Sequence, residues 1–77
     1  MNNITVINNY NWDLAALYVN GARVSETHSF RIRDLADYVP IESIEELNSD
    51  DLPELLEWWE INGDDEFPEF YPIRSPN

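Results

Sequence analysis

The sequence predicts a small α+β fold: a three-stranded antiparallel sheet packed by one or two helices, with an extended C-terminal tail. Three observations predict it. A β-branched run is followed by two apolar runs joined by Asn20-Gly21. Two later stretches repeat apolar residues at helical spacing. The last segment, 64–77, holds Pro68, Pro72 and Pro76, which oppose regular structure.

Ile4, Thr5, Val6 and Ile7 form the first strand, because branched side chains pack well on a pleated surface. Asn8, Asn9, Tyr10 and Asn11 are rich in turn formers and close it. Residues 14–19 and 22–27 flank Asn20-Gly21, which supplies the two positive-φ positions of a type I′ turn. A two-residue hairpin in that register sets Leu17 opposite Val24, Ala15 opposite Glu26, Tyr18 opposite Arg23, and His28 near Asp13. The three strands make an antiparallel meander. Ser29 is a candidate helix cap. Ile32, Leu35, Ala36 and Val39 then fall at i, i+3, i+4 and i+7, a stripe that covers one face of the sheet until Pro40 stops it. In residues 41–47, Ile41, Ile44 and Leu47 fit a short helix or an irregular edge segment alike. Asp51 and Glu54 resemble a capping box, with Pro53 in the first turn. Leu52, Leu55, Leu56 and Trp59 continue it as a second helix, ended by Asn62-Gly63. Phe67, Phe70, Tyr71 and Ile73 are expected to fold the tail back onto the body.

The chain has 77 residues, enough for a single acidic domain over 1–77 with 64–77 as its tail. Net charge is −12, yet 43% of residues are hydrophobic and ten are aromatic, enough apolar surface for a core rather than a disordered acidic segment. There is no cysteine, so neither disulfides nor thiolate metal sites are available, and the usage fits a reducing cytoplasm. The N-terminus has no basic, long-apolar signal pattern, and no run approaches the apolar length of a transmembrane helix. A soluble cytoplasmic monomer or small homo-oligomer is expected.

The charge is unevenly spread. Residues 34–73 contain 14 acids and no base, and the whole chain lacks lysine. Like charges repel in a compact state, so this arrangement costs stability. It disfavours direct binding of DNA, RNA or an anionic membrane, and it points to a basic partner. No catalytic constellation is visible, and no cofactor is implied. His28 beside Asp13 is half of a nucleophile-activating set without a nucleophile; Ser25 and Ser29 lack the required context, so a cross-strand polar pair is the simpler reading. The carboxylate pairs Glu45-Glu46, Asp50-Asp51 and Asp64-Asp65-Glu66 sit in polar segments, not in a pocket that would separate their pKa values. The 62–66 loop offers oxygens to calcium but lacks the ligand alternation of an EF-hand.

The acidic face itself remains. Glu54, Glu57 and Glu60, or Asp50, Glu54 and Glu57, lie along one side of the second helix, where neighbours at i+3 or i+4 stand ~5–6 Å apart. Asp64, Asp65 and Glu66 follow in the next loop. A nucleic acid also presents regularly spaced negative charge, so a folded carboxylate array can enter a site built for phosphates. These acids, with Asp51 and Trp58 beside them, are the predicted contact set for a basic nucleic-acid-binding protein. Two other readings stay open: an acidic face that only confers solubility, and recognition through the hairpin edge or aromatic tail. Trp58 has its own alternative, packing against Phe67 or Tyr71.

The residues Trp12, Asp13, Leu14, Leu17, Tyr18, Val19, Asn20, Gly21, Val24 and His28 resemble the opening hairpin of small phage and bacterial proteins of unassigned function. In size, acidity and overall build the chain also resembles phage-encoded anti-defence proteins, anti-CRISPR and anti-restriction proteins among them. Several of those are nucleic-acid mimics. The resemblance implies an inhibitor in the host-cell cytoplasm, directed at a defence-system nuclease or effector complex. It rests on shared properties, so no functional residue is carried over by position.

Overall fold

The computed structural model describes residues 1–28, 30–63 and 65–72, with the backbone alone for Ile32. The expected cap Ser29, the expected contact residue Asp64 and the tail residue Ile73 lie outside the described residues.

The α+β class is correct, but the sheet has four strands and is mixed. β1 (Asn2–Asn9), β2 (Leu14–Val19), β3 (Ala22–Thr27) and β4 (Ile41–Asn48) lie in the order β3-β2-β1-β4. β1 pairs antiparallel with β2 and parallel with β4. The ambiguous segment 41–47 is therefore a strand. Its residues 42–46 are all exposed, so no alternation of buried and exposed positions marks it in the sequence.

The hairpin turn is as expected. Asn20 and Gly21 have φ of 54° and 87°. Tyr18 opposes Arg23, but a bulge then shifts the register: Leu17 faces Ser25 and Ala15 faces Thr27. The expected Leu17–Val24 and Ala15–Glu26 pairs are corrected by this extra residue, Val24. The shift leaves Arg23 and Glu26 on one side of β3, where they pair at 3.0 Å.

Both faces of the sheet are covered. On one, Ile4, Val6, Ala15 and Leu17 pack with Leu35, aided by Phe30, Tyr38 and Ile41. Leu35 belongs to a 3-10 turn, Ile32–Tyr38, not to an α-helix. Three residues per turn align Leu35 with Tyr38 at i+3, so the expected partners Ala36 and Val39 rotate into solvent. The turn starts after Arg31, whose backbone N–H donates to the Asp34 carboxylate at 2.7 Å.

On the other face, Ile7, Ala16 and Tyr18 pack with Leu55, Trp59 and Phe67. Leu55 and Trp59 come from α1 (Pro53–Asn62). The expected capping box is absent. Leu52 is the N-cap and Asp51 ends a short 3-10 turn, Ser49–Asp51. Pro53 accounts for this, since the residue before proline is pushed out of the helical region. Gly63, at φ 98°, ends α1 and donates its N–H to the Trp59 carbonyl at 2.8 Å. Leu56, expected in the apolar stripe, is exposed.

The tail packs back, as the aromatic residues predict. Phe67 meets the Trp59 ring edge-on at 5.8 Å between centroids, and Tyr71 lies 6.0 Å from Tyr18. The Tyr18 hydroxyl donates to the Pro68 carbonyl at 2.6 Å, and Arg23 donates to the Phe67 carbonyl. The Arg23 N–H donates to the Glu69 carbonyl and the Tyr71 N–H to the Gly21 carbonyl. With the Ala22–Phe70 bridge, these bonds close the start of β3's outer edge with the chain's own tail.

Candidate functional site

The carboxylates of α1 are placed by what the helix buries. Leu55 and Trp59 turn inward at i and i+4, which leaves Glu54, Glu57 and Glu60 on the solvent side. Ile61, 85% exposed, stands among them. Glu54 and Glu57, and Glu57 and Glu60, are i,i+3 neighbours of like charge. Each such pair costs an isolated helix about 0.2–0.5 kcal/mol. Glu60 also sits in the last turn, where the helix dipole disfavours an anion, and the last turn carries no base. Glu54, in the first turn, suits the dipole; the two like-charge pairs and Glu60 oppose the stability of α1.

Asp50 and Asp51 are exposed in the 3-10 turn that leads into α1. Asp65 and Glu66 are exposed beyond its other end. Asp64 lies outside the described residues. Trp58 is half-buried and packs against the cluster of Leu55, Trp59 and Phe67, so only part of its ring is open to a partner.

The structure brings in carboxylates that lie outside the predicted contact set. Glu42, Glu45 and Glu46 are exposed on β4. Glu45 shares the α1 side of the sheet, because its partner Thr5 also opposes Tyr18. Tyr71 ties the two elements together. Burial pushes its phenol above the usual range, and the charges of Glu45 and Glu54 push it further in the same direction. Tyr71 and Glu54 line one small cleft with Leu52, Pro53 and Leu55. Glu46 faces the opposite side of the sheet with Val6, so Glu45 is the β4 contribution to the acidic side of α1. Its signal in the sequence was the acidic spacing in 42–46, which has no meaning until the segment is known to be an edge strand.

Among the described residues, the ion pairs are Arg23–Glu26 and His28–Asp13, so none neutralises an acid of residues 34–72. His28 does sit by Asp13, but mainly through the backbone: its Nδ1–H donates to the Asp13 carbonyl at 2.8 Å, with the carboxylate at 3.9 Å. Both side chains are at least 80% exposed, and such surface pairs contribute little. Among the described residues no three His, Asp or Glu side chains converge as a metal site. Among the described residues no helix is long and apolar enough to cross a membrane.

No family model, curated protein or solved structure matches the chain.

Proposed function

We propose that this protein is a small, non-enzymatic inhibitor whose acidic surface occupies a basic, nucleic-acid-binding site on another protein, acting as a DNA or RNA mimic. The observation that carries the reading is the solvent side of α1. Among the described residues no cation pairs with Glu54, Glu57 or Glu60, which stand there at a cost to the helix, with the exposed Ile61 at the end of the row. Solubility alone is served by mixed charges and gives no reason to stack like charges at i, i+3. The partner class is a nucleic-acid-handling protein. The resemblance to phage anti-defence proteins narrows it to a nuclease or effector complex of a defence system in the host cytoplasm.

Asp50, Asp51, Glu54, Glu57, Glu60, Asp64, Asp65 and Glu66 supply the charge in this proposal, Glu45 extends it, and Trp58 and Ile61 add apolar contact. The competing reading places recognition at the hairpin edge or the aromatic tail. Phe67 is buried and the tail bonds to the start of β3, which leaves the exposed face of Phe70 and the rest of that edge to this reading.

The test is capture of partners from a bacterial lysate by the immobilised protein at low and high salt. Binding should fall on the order of tenfold or more on raising salt to physiological strength. It should be lost in the E54K/E57K/E60K variant. Capture that ignores both salt and charge reversal overturns the proposal.

A further inference from the structure

The two edges of the sheet are treated differently. The start of β3's outer edge is closed by the tail through the Arg23 N–H, the Gly21 carbonyl and the Ala22–Phe70 bridge. β4 is the other end strand. Among the described residues, 41–47 make no main-chain hydrogen bond beyond the ladder to β1. Eight residues long, β4 leaves a row of donors and acceptors facing outward. Exposed edges are usually blunted by charged side chains, lysine above all, by proline, by a bulge or by a covering segment. β4 carries exposed glutamates and a bulge at Glu42, and among the described residues no segment covers it, so the edge is guarded against a like-charged strand and open to a basic one.

Its side chains select what can pair there. Glu45 projects on the α1 side with Thr5, and Glu46 on the opposite side with Val6. Glu42 is the extra residue of a bulge against Asn2 and Asn3. Ile44, beside Ile4, is 58% exposed, an apolar side chain left open on an otherwise acidic strand. A second copy of β4 would set glutamates against glutamates, which disfavours self-pairing. A basic strand would meet opposite charge on both faces and cover Ile44.

We propose that the free edge of β4 docks an extended, arginine- or lysine-bearing segment of the partner by strand addition. Main-chain bonds give the affinity, and Glu45 and Glu46 select the basic side chains. The inference rests on the reading of a basic partner. It adds a backbone-directed contact that charge mimicry does not require.

The test uses an octapeptide of the repeat Arg-Arg-Thr-Thr, which presents Arg on both faces, and the same peptide N-methylated on every backbone amide. The two have equal charge, but only the first can extend a sheet. The unmodified peptide should bind about tenfold more tightly. It should slow amide hydrogen exchange in 41–48, and E45K/E46K should abolish that protection. Equal binding of both peptides without protection overturns strand addition and leaves the acidic-surface reading standing. So does failure of both to bind, provided the captured partner is still retained in a salt-dependent manner. If that retention also fails, the shared premise of a basic partner falls.

Discussion

Tyr18 joins three parts of the molecule. It is fully buried on β2, stacks near Tyr71, and donates its hydroxyl to the Pro68 carbonyl. Tyr18→Phe keeps the ring and leaves that carbonyl without its donor, which should cost about 1–3 kcal/mol in denaturant melts. The same residue sets a pH limit. Burial raises the Tyr18 phenol above its ordinary pKa of 10, Arg23 opposes the shift, and Glu26 adds to it. The folded state therefore holds the proton more tightly than the unfolded chain. The contribution is fully present below pH 10, the unfolded value, and is lost as pH rises from there toward the folded value. Wild type should lose stability above that pH, with a smaller loss in Tyr18→Phe. Equal slopes in the two proteins would contradict the assignment. Gly21 is the other position where one residue governs a junction. At φ 87° a side chain is strained, and a Cβ would meet the Tyr71 carbonyl at 2.9 Å. Gly21→Ala should destabilise by about 1–2 kcal/mol through strain at the turn and the displaced tail.

At the scale of elements, what was legible depended on how local the cause was. Asn20-Gly21 specifies its turn by its own backbone preferences, so the hairpin could be read directly. The bulge at Val24 could not, because it is set by pairing along two strands. The stripe Ile32, Leu35, Ala36 and Val39 fits a 3.6-residue period, but packing of Leu35 and Tyr38 favours the tighter turn. β4 escaped because its partner is β1, more than thirty residues away and parallel to it. The acids of α1 were legible as a helix face; those of β4 were not, because a strand was needed first. α1 supplies two predictions of opposite sign. Leu55→Ala empties a fully buried site and should cost about 2–5 kcal/mol, a large fraction of what so small a domain has. Glu57→Lys replaces two like-charge neighbours by favourable ones and should stabilise the free protein by about 0.5–1 kcal/mol. The same change should weaken partner capture. A gain in stability without loss of capture would mean that the face serves solubility alone.

For the whole molecule, a charge of −12 within 35 × 29 × 18 Å makes self-repulsion a global term. Screening should relieve it, so the thermal midpoint should rise as salt increases from about one-tenth of physiological strength to physiological strength. A midpoint indifferent to salt would show that the acids are too dispersed to act together. Stability and binding should thus respond to salt in opposite directions: the free protein gains while its complex weakens. A protein that uses its acids as a nucleic-acid surrogate should behave in this way, because the charges that strain the free fold are satisfied only by the partner.

Competition tests that claim most directly. The captured partner is held on the immobilised protein at low salt and challenged with increasing single- or double-stranded oligonucleotide. Occupation of the nucleic-acid site by the acidic surface predicts that oligonucleotide releases the partner, and that added protein displaces oligonucleotide from it in return. A stable ternary complex, with oligonucleotide and this protein bound to the partner together, would contradict it.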